Sequence, residues 1–96
     1  MSDRSRRTYL DDPWTARAVG LVAFARKSDE ETKVSARGTG ALVGRGLDLS
    51  RVMREAAQAV DGDGGGHDVA AGATIPAGRE SAFVEHADHI VGNQLS

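Results

Sequence analysis

The sequence predicts a single-domain α/β fold: a small mixed β-sheet flanked by helices. Three observations predict it. Runs of strand length alternate with two stretches of helical periodicity. The chain of 96 residues is one domain long. Ten of its twelve glycines fall between Gly38 and Gly78, which concentrates tight turns and close packing in the middle of the chain.

Taken in order, residues 1–10 are polar and basic and read as a disordered arm, and residues 11–96 as the folded domain. Asp12 and Pro13 open a short helical signal that Gly20 closes. Residues 21–26 form an apolar run of strand length. After the polar segment Lys27 to Glu31, residues 32–38 alternate, with Val34 and Ala36 on one side and Lys33, Ser35 and Arg37 on the other. These two runs predict an antiparallel hairpin.

Residues 40–44 read as a third short strand or a packed loop. The clearest helix spans 48–60: Asp48 caps it, and Leu49, Val52, Met53, Ala56 and Val60 make one apolar stripe. Asp61-Gly62 ends it. A short helix is expected near 67–71, a strand at 72–75 stopped by Pro76, and a last helix at 79–92. Phe83, Val84, Ala87, Ile90 and Val91 form the stripe of that last helix.

Composition excludes several classes. There is no cysteine, hence no disulfide framework and no Cys-ligated metal. No run of 18 apolar residues exists, so no membrane partner is expected. Arg4, Arg6 and Arg7 precede no apolar stretch, so the N-terminus does not read as a secretory signal, and the expected location is cytoplasmic. The net charge is −2, but residues 1–54 carry +4 and residues 55–96 carry −6. A chain divided this way is no general polycation, so any anion site must be local.

The motif with most chemical content is Gly64-Gly65-Gly66-His67. If a helix begins at His67, its open N–H groups and the bare glycine backbone form an anion site, with His67 as a further donor. The same run also reads as a flexible linker between two helices. Arg37 suits bidentate contact with a phosphate, although alone it reads as a solvated arginine on a strand. His86 and His89 stand three apart but outside the apolar stripe, and no third ligand is placed. No Walker, Rossmann, Ser–His–Asp or Cys–His arrangement occurs. Asp63, His67 and Asp68 offer at most a makeshift metal site.

The runs Val34-Ser35-Ala36-Arg37-Gly38, Arg45-Gly46-Leu47-Asp48-Leu49-Ser50 and Gly64-Gly65-Gly66-His67-Asp68-Val69-Ala70-Ala71-Gly72-Ala73-Thr74-Ile75-Pro76 carry a family resemblance. In order and spacing they resemble the C-terminal DHH-associated domain, first subtype, of archaeal RecJ-like single-strand exonucleases of the DHH phosphoesterase family. The resemblance covers about residues 20–95. It implies a module that grips the phosphate of single-stranded nucleic acid or a nucleotide through Arg37, Gly64, Gly65, Gly66 and His67. In that family a separate DHH domain binds two divalent metals, Mn2+ or Mg2+, and cleaves the phosphodiester. No Asp-His-His triplet occurs here, and the segment before residue 21 is shorter than the family's. The expectation is therefore a module with no catalytic residues, metal or cofactor of its own. The alternative is an interaction or dimerisation module, or a truncated remnant, docking on a DHH catalytic domain supplied in trans.

Overall fold

The structure, a computed structural model, describes residues 6–8 and 21–96. Strand β1 is Arg6–Thr8, β2 is Leu21–Arg26 and β3 is Glu31–Arg37. Helices α1 (Gly40–Gly44) and α2 (Leu49–Ala59) follow. Strands β4 (Asp63–Gly66) and β5 (Ala70–Pro76) lead to helix α3 (Glu80–Leu95). The sheet order is β1-β2-β3-β5-β4. The α/β class stands, and the sheet expected to be mixed is antiparallel at each of its four pairings.

Arg6–Thr8, inside the stretch expected to be a disordered arm, form an edge strand on β2. The helical signal at Asp12 to Gly20 lies outside the described residues. The predicted hairpin is present, with Val22 opposite Ala36 and Phe24 opposite Val34. Its turn closes through Lys27 N–H donating to the Glu31 carbonyl at 3.0 Å, while Ser28 Oγ accepts from the amides of Glu30 and Glu31.

Strict alternation on β3 makes the layers. Thr32, Val34 and Ala36 are buried, and Glu31, Lys33, Ser35 and Arg37 are exposed. The buried side joins Ala73 and Ile75 of β5 and meets both longer helices. Helix α2 contributes Leu49, Val52, Met53, Ala56 and Ala57, and α3 contributes Phe83, Val84, Ala87 and Val91. Phe24 meets Phe83 edge to face, with ring centroids 6.1 Å apart. Thr32, a buried polar residue, donates its hydroxyl to Glu80 Oε2 at 2.7 Å and so ties the sheet to the start of α3.

Three elements differ from the sequence expectation. Residues 40–44 are a helix because Thr39 caps them: its Oγ1 accepts from Leu42 N at 3.2 Å. The helix expected near 67–71 is a turn leading into β5, and β4 precedes it. Alanine-rich residues there favour helix locally, but β5 sits between β3 and β4 and satisfies its backbone on both sides. Helix α3 continues past Gly92 to Leu95, where Leu95 packs against the core and Gln94 binds Asp48.

Asp48 caps α2 as expected, accepting from the Ser50 hydroxyl at 2.6 Å and the Ser50 amide at 3.1 Å. The Ser50 hydroxyl, then the Arg51 and Ser50 amides and the Arg54 charge, hold its carboxyl below the ordinary 3.8, against burial. Asp48→Ala is expected to cost about 1 kcal/mol at neutral pH. A carboxyl lowered on folding contributes stability that is whole above its unfolded value and is lost as pH falls through the folded one. Urea denaturation on a descending pH series should therefore show the variant's deficit shrinking in acid. A deficit independent of pH would contradict the cap.

Candidate nucleic-acid interface

Among the described residues all of the helical packing lies on one side of the sheet, and the other side carries the exposed residues of β3. Cross-strand register arranges this face in rows. Arg37 stands opposite Ala70, and the His67 amide donates to the Ala70 carbonyl at 2.8 Å. Arg37, Ala70 and His67 thus form one row, with the two polar residues two strands apart, about 10 Å between backbones. The next row is Ser35, Gly72 and Gly65. The third is Lys33, Thr74 and Asp63. Among the described residues, Ala70 stands between Arg37 and His67 in this row, and the neighbouring row carries two glycines.

The structure therefore sets the backbones of Arg37, Gly65 and His67 in neighbouring rows of the sheet. It does not form the helix-terminus cradle expected around the glycines. Gly64-Gly65-Gly66 is a strand, and Gly65 faces Gly72 across the ladder. The His67–Ala70 hydrogen bond sets the alternation of that ladder, so Gly65 spends its amide on β5, while Gly64 and Gly66 face the sheet edge. The N-terminus of α2 adjoins the turn after the glycines, and its first amides are already engaged. Leu49 N–H donates to the Asp68 carbonyl at 2.9 Å, and Asp48 takes the next two. Asp68 and Val69 form the turn, which the Gly38 amide also holds by donating to the Val69 carbonyl at 2.8 Å.

Charge is uneven along the face. Arg37 and Lys33 are exposed and make no ion pair among the described residues. At the opposite end, Glu30, Glu31, Asp61 and Asp63 surround a cavity of about 270 Å³. Four carboxylates together disfavour an anion at that end. Among the described residues no group of three or more His, Asp or Glu is arranged to hold a metal ion, Asp63, His67 and Asp68 included. His86 and His89 are exposed on α3, and the His89 ring lies 3.3 Å from Asn93 Nδ2.

Residues 6–93 match the model of the DHHA1 domain. The chain belongs to the DHHA1 domain family. This DHHA1 domain is 48% identical over 63 residues to the uncharacterized protein MJ0831 of Methanocaldococcus jannaschii, a match that covers 66% of the chain and 14% of that protein. Its fold is similar to that of the C-Ala domain of Aquifex aeolicus alanyl-tRNA synthetase. The TM-score is 0.56 at 19% identity, over 76% of the chain and 62% of the C-Ala chain.

The three glycines of the motif differ in what they do for the DHHA1 domain. A Cβ on Gly64 would stand 2.4 Å from the Met53 carbonyl oxygen, so glycine there lets α2 lie against β4. Gly66 has φ +141, and its Cβ would come within 2.6 Å of Ala71 Cα. A Cβ on Gly65 would meet nothing within 4 Å. Gly64→Ala should thus cost about 1–3 kcal/mol by overpacking. Gly65→Ala should stay within about 0.5 kcal/mol of wild type. Thermal unfolding followed by circular dichroism checks the contrast, and equal losses would refute it.

Proposed function

We propose that this domain binds a phosphate of single-stranded nucleic acid, or of a nucleotide, on the open sheet face at Arg37 and His67. One observation carries the reading: an exposed guanidinium and a histidine share a cross-strand row, beside a glycine that the protein's own packing does not require. Arg37 supplies charge and two parallel donors, and His67 supplies a ring N–H. Gly65 and Gly72 leave the neighbouring backbone bare, so a sugar or base can lie close to the sheet. The carboxylates at the far end keep the anion at the Arg37 end.

In this reading the chain is a phosphate-gripping module of a RecJ-like, archaeal-type DHH exonuclease acting in the cytoplasm. It has no catalytic role by itself. The metal ions, Mn2+ or Mg2+, belong to a DHH catalytic domain, in the same protein or in trans. A relative of which this chain matches only 14% supports a module that works beside other domains. Docking on such a domain, or self-association, is the second reading. Size exclusion with light scattering reads self-association directly, and a monomer at high concentration would argue against it.

Fluorescence anisotropy with a labelled short oligothymidylate tests the site. Arg37→Ala should weaken binding by about 1–3 kcal/mol, the range of charge-assisted hydrogen bonds. His67→Ala should weaken it as well. The wild-type affinity should fall with salt, and Arg37→Ala should reduce that slope. Unchanged affinity in both variants would refute the site.

A further inference from the structure

We propose that Gln94, near the end of α3, is a positioning residue for the turn that carries His67. The inference rests on the phosphate reading above. The Gln94 side chain grips one residue twice: its Oε1 accepts from Asp48 N at 3.0 Å, and its Nε2 donates to the Asp48 carbonyl at 3.2 Å. Asp48 is the N-cap of α2, so the helix itself supplies no partner for that amide.

The next amide along, Leu49 N–H, donates to the Asp68 carbonyl at 2.9 Å. Asp68 follows His67 directly. The turn therefore has two outside anchors. Gly38, the residue after Arg37, holds the Val69 carbonyl, and the start of α2 holds the Asp68 carbonyl. The second anchor is only as well placed as the α2 cap, and Gln94 places the cap. Close backbone packing supports the link: a Cβ on Gly46 would lie 2.7 Å from the Gln94 carbonyl, and Leu47 between Gly46 and Asp48 is buried. Glutamine carries both an acceptor and a donor on one planar group, which the double grip requires. Glutamate at neutral pH accepts but does not donate.

The test compares Gln94→Ala, Gln94→Glu and a control, Thr32→Val. The control removes the Thr32–Glu80 hydrogen bond, away from the His67 turn. Binding of the labelled oligothymidylate by anisotropy is measured beside the melting temperature and the backbone amide NMR spectrum. Gln94→Ala should raise Kd about three- to tenfold, as one or two lost hydrogen bonds would. Gln94→Glu should fall between it and wild type. Thr32→Val should lower the melting temperature and leave Kd unchanged. The amide signals of Asp68 and His67 should shift in Gln94→Ala and stay in place in Thr32→Val.

Wild-type Kd in Gln94→Ala, with His67→Ala still weakened, overturns the positioning role and leaves the phosphate site standing. Unshifted Asp68 and His67 amides overturn it whatever the affinity. Unchanged Kd in Arg37→Ala and His67→Ala instead removes the phosphate site. Should Gln94→Ala fail to fold, Gln94→Glu carries the same comparison through its lost donor.

Discussion

Helix α2 lies so close to β4 that the Met53 carbonyl occupies the space a side chain at position 64 would need. Much of the architecture follows from this approach. A strand able to accept a helix backbone at that range must be glycine at the contact, and β4 reads Asp-Gly-Gly-Gly. With α2 and α3 both on the Val34 side, the apolar residues of a small chain suffice for one core and no more. Among the described residues the opposite face is left to polar and small residues.

The same approach divides the Gly-Gly-Gly-His motif by the alternation of a strand. Gly64 belongs to the packing, Gly65 to the open face, and Gly66 to the entry of the turn, with φ +141. An interface of this kind is built across strands rather than within a loop. Arg37 and His67 are 30 positions apart in the chain and share one row of the sheet. Both stand in solvent, where a single charge contact is modest and screened by salt. The acidic end of the face limits where a ligand lies.

Rigidity reaches this exposed row from behind. The turn after β4 is pinned on one side by Gly38 and on the other by the first amide of α2, whose cap is held by the end of α3. Pre-ordering of this kind lowers what a ligand must spend on fixing the turn.

Local pattern alone determined a good part of this protein. The alternation of residues 32–37 gave β3 its two faces, and the spacing of Leu49, Val52, Met53 and Ala56 gave α2 its buried stripe. Pattern misled where small residues carry no period. Ala70 and Ala71, good helix formers expected in a short helix, instead open the central strand that was expected from residue 72. Hydrogen bonds to two neighbouring strands outweigh a propensity of a few tenths of a kcal/mol per residue. Only the tertiary structure decided that the glycine run is a strand and that Arg37 and His67 share a row. It alone decided that Gln94 reaches Asp48. The Arg37 row and the Gln94–Asp48 contact join distant segments, and a distant partner is the one thing a local run of residues does not encode.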